Sequence, residues 1–195
     1  MGNSQLNQWV EKNHDSPLTV GNGNNFITDP STSGTVAITV GTGYNLIDIS
    51  AGFVATYNAT VTLGAHTTTT ALFDEVMVGT VAGAVVLPST VITGAVAGDM
   101  VYVTAATSVA QATTAQQTAI TAQVTLGAAI NAAVGYAQTA GQTIAFQYGG
   151  NTYLYTDAVG GPVNTTGNGD TLVEVVGVHT VSSTLALTHG IVLAS

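Results

Sequence analysis

The sequence predicts an all-β protein with parallel β-solenoid or β-roll-like turns, then a β-sandwich-like C-terminal region, and one or two short helices. The composition is the first observation, because 33 Thr, 26 Val and 23 Gly among 195 residues favour strands and turns. A glycine motif that recurs after 20 residues is the second. An aromatic-rich hairpin pattern between Phe146 and Tyr155 is the third.

The charge balance limits the possible partners. Lys12 is the single basic residue, there is no Arg, and ten carboxylates give a formal charge of −9. Without cations the chain cannot grip a phosphate backbone, so nucleic acid is excluded, and an anionic membrane surface is disfavoured. Acids without basic partners either lie in water or bind cations, and oxygen ligands favour calcium. We therefore expect calcium as a cofactor and an extracellular or cell-surface location.

The N-terminal 16 residues are predicted to form a helical segment that serves assembly. Leu6, Trp9 and Val10 have helical spacing, and Trp9 and Val10 could pack on the chain's own core or on a neighbour. No cationic region followed by an apolar run begins the chain, so no secretory signal peptide is predicted there. The apolar stretch Val81–Val103 contains Pro88 and Asp99, and we interpret it as buried strands rather than a membrane span.

Residues 17–96 are predicted to be β-rich and begin with an internal repeat. The shared pattern is T-V-G-x-G-x-N-x-I, and the two copies are Thr19–Ile27 and Thr39–Ile47. Glycines two residues apart allow a tight turn with positive φ, and the following apolar residue begins a strand. Repetition at a fixed period indicates stacked turns of a parallel β-solenoid.

This pattern resembles the calcium-binding repeat of RTX proteins, G-G-x-G-x-D-x-U-x. The glycines and isoleucines match, but Asn25 and Asn45 stand where the family has Asp. An amide oxygen can bind calcium but brings no charge, so the affinity should fall or vanish. The resemblance implies Asn25 and Asn45 as metal ligands, and glycine turns without metal remain the alternative. Asp29 and Asp48, which follow the repeat copies, are further predicted ligands.

The middle of the chain carries weaker signals. Val54–Leu63 alternates in part and predicts a strand. Asp74 and Glu75 are adjacent acids that could hold a cation, but a solvated turn is the preferred interpretation. One helix is predicted around Ala128–Gln138, with less regular structure before it.

The region 97–195 resembles the C-terminal region of bacterial surface-layer and RTX-type proteins exported by type I secretion. The ordered segments that carry this resemblance are Ala97–Val103, Val124–Ala129, Ile144–Asp157, Gly169–Val173 and Gly190–Ser195. It implies an uncleaved C-terminal export signal, so removing Gly190–Ser195 should block release. Asp157 and Asp170 flank the loop Gly160–Gly169, and they are either calcium ligands or structural turn acids.

No catalytic pattern is present, so we do not expect an enzyme. The four histidines lack metal-ligand spacing, and the chain has no G-x-S-x-G, H-E-x-x-H or P-loop motif. The sequence instead predicts a calcium-stabilised structural protein, exported by type I secretion, that polymerises with itself into a surface layer or filament. Two alternatives remain open: the secretion and calcium-binding module of a larger adhesin or hydrolase, and a phage or virion structural protein.

Overall fold

The computed structural model describes residues 6–10, 16–51, 53–54, 57–65, 73–82, 87–160, 169–182 and 190–194. Within these ranges the chain forms 17 strands and two short helices, which confirms the predicted all-β class. In chain order the elements are β1 Leu6–Val10, β2 Leu18–Thr19, β3 Asn24–Thr28, β4 Thr35–Thr39, β5 Asn45–Ile49, β6 Phe53–Val54, β7 Asn58–Thr62, β8 Glu75–Val78, β9 Val81–Ala82, β10 Thr90–Thr93, β11 Met100–Val103, β12 Ser108–Gln111, α1 Thr114–Thr121, α2 Leu126–Val134, β13 Gln142–Tyr148, β14 Asn151–Asp157, β15 Thr171–Val175, β16 Thr180–Ser182 and β17 Gly190–Ala194.

Two mixed sheets contain almost all of these strands. Sheet A has the order β1-β3-β5-β8-β11-β17-β16, and sheet B has the order β12-β13-β14-β15-β10-β7-β4-β2. From β2 to β11 the chain alternates between the sheets, apart from β6 and β9, which pair with each other. Each strand in this part pairs in parallel with the next strand of its own sheet.

The 20-residue repeat determines the register of the first turns. Asn25 pairs with Asn45 and Ile27 pairs with Ile47 across β3 and β5. The two copies of the motif are therefore neighbours in sheet A, so that each residue lies beside its equivalent.

The core is formed by apolar side chains that point inward from both sheets. In sheet A one row crosses five strands, and in sheet B a second row crosses four. The residues of the two rows are at most 1% exposed: Ile27, Ile47, Val76, Val101 and Ile191, and Ile38, Val61, Ile92 and Val175. Strands that bury one face in this way alternate apolar and polar residues, which explains the Thr-rich alternation in the sequence.

The predicted aromatic hairpin is present as β13 and β14. Gly149 and Gly150 have φ values of 59° and 88°, as the turn requires. Phe146 pairs with Tyr153, and their rings stack with centroids 5.4 Å apart. This cross-strand pairing confirms what the aromatic alternation predicted.

Two helices lie between β12 and β13 and pack against β13 and β14. The helix predicted around Ala128–Gln138 begins two residues earlier, at Leu126, and its cap is Thr125. The prediction of less regular structure before it was wrong, because Thr114–Thr121 is also helical. Thr113 and Gln116 form a capping box, which satisfies the first backbone donors of a segment with weak intrinsic propensity.

The prediction of an N-terminal helix was also wrong. Leu6–Val10 is a strand that pairs in parallel with β3, with Trp9 beside Ile27. A five-residue helix is marginal in water, whereas the edge of β3 offers a complete row of backbone partners.

Both sheets continue across the predicted boundary at residues 96 and 97, which lies between β10 and β11. In the described part of the chain, neither helix has the length and apolar character needed to span a membrane.

Candidate functional site

Several carboxylates are buried inside this fold. Asp29, Asp74, Asp99, Asp157 and Asp170 are each at most 7% exposed. Their described hydrogen-bond partners are backbone N–H groups, an amide side chain and tyrosine hydroxyls. Neutral donors therefore give buried acids a third arrangement, besides the water and the metal ions that the composition suggested.

A ladder of polar side chains crosses sheet A where its strands begin. We call it the Asn/Asp ladder, and its members are Asn25, Asn45, Asp74 and Asp99. Asn25 Nδ2 donates to Asn45 Oδ1 at 2.6 Å, and Asn45 Nδ2 donates to Asp74 Oδ1 at 2.8 Å. The Asp74 backbone N–H then donates to Asp99 Oδ1 at 2.9 Å. Neighbouring turns are thus joined by side chains as well as by the backbone.

The same asparagines hold the glycine turns that precede them. Asn25 Nδ2 donates to the carbonyl oxygens of Gly21 and Gly23 at 3.2 and 3.0 Å. Asn45 Nδ2 donates in the same way to Gly41 and Gly43 at 3.1 and 3.4 Å. Calcium would need these carbonyl oxygens together with a carboxylate, so Asn25 and Asn45 do not fit an ion here.

Gly43 is the glycine that this stacking constrains most directly. It has φ of +133°, and a Cβ atom there would lie 2.3 Å from the Gly23 carbonyl oxygen. Gly43→Ala should destabilise the protein by about 3 kcal/mol, through backbone strain and a clash that only backbone movement relieves. Urea unfolding followed by circular dichroism measures the loss.

Gly23→Ala is the matched control, because φ is +121° there but no atom lies within 4 Å of the added Cβ. It should cost roughly 1–2 kcal/mol from strain alone. Equal losses for the two variants would contradict the close stacking of the turns.

Asp29 and Asp48 lie together at the opposite ends of β3 and β5. Both accept a hydrogen bond from the backbone N–H two residues ahead, at Ser31 and Ser50, with distances of 2.9 Å. Thr28, Asp29, Pro30, Asp48, Ser50 and Ala51 line a cleft of about 200 Å³. Two carboxylates and the Ser50 hydroxyl are hard oxygen ligands of the kind that calcium prefers.

Three tyrosine hydroxyls are bonded to carboxylates. Tyr57 donates to Asp29 at 3.2 Å, Tyr155 to Asp170 at 2.7 Å, and Tyr44 to Glu75 at 2.9 Å. Burial, reinforced by Glu75, raises the pKa of Tyr44 to about 12. Burial, with the adjacent carboxylate, also raises the pKa of Tyr57 and of Tyr155.

Asp157 and Asp170 lie close together after the aromatic hairpin. Asp157 accepts the backbone N–H groups of Val159 and Gly160, and Asp170 accepts that of Ala158 at 3.0 Å. These contacts are those of structural turn acids. Most of the loop between them, residues 161–168, lies outside the described residues.

The structure therefore brings the six predicted ligands together as three pairs: Asn25 with Asn45, Asp29 with Asp48, and Asp157 with Asp170. In the described ranges, no group of three or more His, Asp or Glu side chains is placed to hold a metal ion. His179 is half-buried beside Thr152, and the other three histidines lie outside those ranges.

Asp74 and Asp99 are the residues that the sequence reasoning missed. Asp74 was interpreted as part of a solvated turn, which was wrong because it is fully buried in the Asn/Asp ladder. The signal was available, since N-x-I occurs at both repeat copies and D-x-V follows at Asp74 and Asp99. The later turns are 29 and 25 residues long, so a search at a fixed period of 20 does not find them.

Comparison with known proteins identified no relative: no protein-family model, curated protein or solved structure matches this chain.

Proposed function

We propose that this chain is a non-enzymatic extracellular structural protein that assembles with copies of itself into a surface layer or filament. The observation that carries the proposal is the chemical difference between the outer faces of its two sheets. A protein with one apolar and one hydroxyl-rich face is suited to cover the first with a neighbour and expose the second to water.

The outer face of sheet A is largely apolar. Phe26 lies beside Leu46, and Met77 lies beside Tyr102, on neighbouring strands. All four side chains are partly exposed, as are Met100 and Val192. A continuous apolar surface of this kind is typical of a contact site.

The outer face of sheet B carries threonines instead. Thr19, Thr39, Thr62 and Thr93 lie in register on four adjacent strands, and Thr93 Oγ1 donates to Thr62 Oγ1 at 3.1 Å. Such hydroxyls remain well solvated, so this face has less to gain from a neighbour.

The ends of the sheets differ as well. Among the described strands, β1 has a partner on one side, so its other side can accept a strand from another copy. At the opposite end of sheet A, the Val181 backbone N–H donates to Gln111 Oε1 of sheet B at 3.1 Å. Because that donor is engaged, we expect strand addition at the β1 end.

A single added charge on the apolar face should prevent assembly. Leu46→Asp should raise the concentration needed for assembly by about tenfold or more, because burying an unpaired carboxylate costs more than about 1.4 kcal/mol. Light scattering at micromolar protein with calcium, followed by electron microscopy, measures this.

The control is Thr60→Asp, which adds the same charge to an exposed position of sheet B and should assemble as the wild type does. A wild-type chain that stays monomeric in both measurements would overturn the proposal. It would favour a secretion and calcium-binding module of a larger protein.

Calcium is the second part of the proposal, and the cleft between Asp29 and Asp48 supports it best. Adding millimolar calcium to chelated protein should raise the melting temperature. Binding to the folded state alone stabilises by about 2.7 kcal/mol when calcium exceeds its Kd a hundredfold. Asp48→Asn should abolish the increase, whereas Asp157→Asn should retain it. An unchanged melting temperature of the wild type would refute calcium stabilisation.

Export by type I secretion is the third part. It is supported by the resemblance of residues 97–195 to exported surface-layer and RTX-type proteins, and by the absence of a predicted N-terminal signal peptide. The export machinery is accordingly the second proposed partner, besides other copies of the chain.

A further inference from the structure

We propose that the glycine turns 21–25 and 41–45 are closed by asparagine amides in place of a metal ion, so that these turns need no calcium. The inference is independent of the proposed function, since it concerns the opposite strand ends from the Asp29 and Asp48 cleft. Its consequence is a division of the molecule into an ion-independent turn edge and an acidic edge.

The arrangement of oxygens around each amide nitrogen is the first argument. Asn45 Nδ2 has the Gly41 carbonyl oxygen, the Gly43 carbonyl oxygen and Asp74 Oδ1 within 3.4 Å. Asn25 Nδ2 has three oxygens in the same way, from Gly21, Gly23 and Asn45. An NH₂ group with three converging acceptors does the work of a small cation at the centre of the turn.

Charge is the second argument. Calcium takes six to eight oxygen ligands and is held chiefly by carboxylates, but positions 25 and 45 are neutral. Asn25 Oδ1 is buried without a hydrogen-bond partner, and one amide oxygen does not make a coordination sphere. The nearest carboxylate, Asp74, already accepts both the backbone and the side-chain N–H of Asn45.

Burial is the third argument. Asn25 and Asn45 are fully buried, so their amide donors must be satisfied within the protein. The contacts to the glycine carbonyls and to the next ladder member satisfy them. An ion at the same carbonyls would displace the donors and leave them buried without partners, which is costly.

Residue-resolved hydrogen exchange by NMR tests the inference on the full chain. The amides of Gly23, Asn25 and Gly41 report on the turns, because they donate to Thr42, Tyr44 and Val20. Those of Ser31 and Ser50 report on the acidic cleft. We expect the turn amides to have equal protection in chelator and in millimolar calcium. A calcium-induced gain at Gly23, Asn25 and Gly41 that exceeds any gain at Ser31 and Ser50 would overturn the proposal.

Two substitutions test the role of the amide directly, both in chelator. Asn45→Asp keeps the size of the side chain but replaces the donor by a carboxylate beside Asp74. It should lower the protection of Gly23 and Gly41 by about tenfold or more. Asn25→Asp removes the donor at the end of the ladder, where the structure is more tolerant, and provides the same test if the first variant does not fold. Wild-type protection in Asn25→Asp without calcium would contradict the inference. If calcium changes no amide anywhere, the calcium part of the proposed function fails while this inference stands.

Discussion

Replacing Leu193 with alanine should lower the free energy of unfolding by about 3 kcal/mol, and deleting Gly190–Ser195 should abolish the folded state. A buried leucine that is cut back to alanine costs about 2–5 kcal/mol from lost burial and the cavity left behind. Leu193 is 1% exposed and Ile191 is fully buried, so the deletion removes both from the core. Urea unfolding and far-ultraviolet circular dichroism measure the two effects.

The backbone position of β17 explains why its loss should be so damaging. It lies between β11 and β16 in sheet A and is antiparallel to both. Leu193 exchanges two further backbone bonds, from its N–H to the Asp99 oxygen at 2.9 Å and from Gly98 N–H to its oxygen at 2.8 Å. Without β17, β16 loses its described strand partner and β11 becomes an edge strand with a buried side chain row exposed.

Val192→Ala is the matched control for Leu193→Ala. Val192 belongs to the same strand but points to the partly exposed outer face. Its truncation should cost less than about 1 kcal/mol. Losses of equal size at the two positions would mean that β17 does not direct Leu193 into the core.

The apolar C-terminal end therefore has two roles to separate. It is a strand of the fold, and it is also the segment predicted to be read during export. Leu193→Ala keeps the length and most of the apolar character of this segment while weakening the fold. Export assays should include this variant beside the deletion, so that loss of release is not confused with loss of stability.

The sequence predicted the parts of the fold that depend on local patterns. The 20-residue offset was sufficient to predict that Asn25 lies beside Asn45, because parallel neighbours in a repeat share their register. The hairpin was predictable because Gly149 and Gly150 allow positive φ between alternating aromatics. Both features are decided by a few residues close together in the chain.

Features that depend on tertiary contacts were not predictable in this way. Leu6–Val10 has helical spacing but is held as a strand by β3, which lies 14 residues further along. The burial of Asp74 follows from its place in the Asn/Asp ladder, and longer turns before Asp74 and Asp99 conceal that place. The pairing of Asp29 with Tyr57 joins residues 28 apart that share no sequence motif.

High pH should unfold this protein through its tyrosines, and the composition makes the effect unusually easy to isolate. The chain has seven Tyr, a single Lys, and no Cys or Arg, so tyrosine dominates titration between pH 9 and 12. Tyr57 and Tyr155 are each 1% exposed and donate to the carboxylates of Asp29 and Asp170. Ionisation would place a phenolate in the core beside a carboxylate, which costs both desolvation and repulsion.

The sign follows from the direction of the pKa shifts. Burial raises the pKa of Tyr57 and Tyr155, and it raises that of Tyr44 to about 12, while the unfolded chain loses the same protons near pH 10. The stabilisation is complete below about pH 10, and it is lost as the pH rises through the folded-state values. Each fully buried tyrosine should contribute a slope of up to about 1.4 kcal/mol per pH unit in that window.

Urea midpoints measured from pH 8 to pH 12, with absorbance at 295 nm to follow phenolate formation, check this prediction. The wild type should be insensitive to pH up to about pH 10 and then lose stability steeply. Tyr57→Phe and Tyr155→Phe remove the titrating hydroxyl but keep the ring, so both should be less stable at pH 8 and less sensitive above pH 10. The double variant should have the shallowest dependence. A wild-type midpoint that stays constant to pH 12, or a double variant as steep as the wild type, would show that these buried hydroxyls do not control alkaline stability.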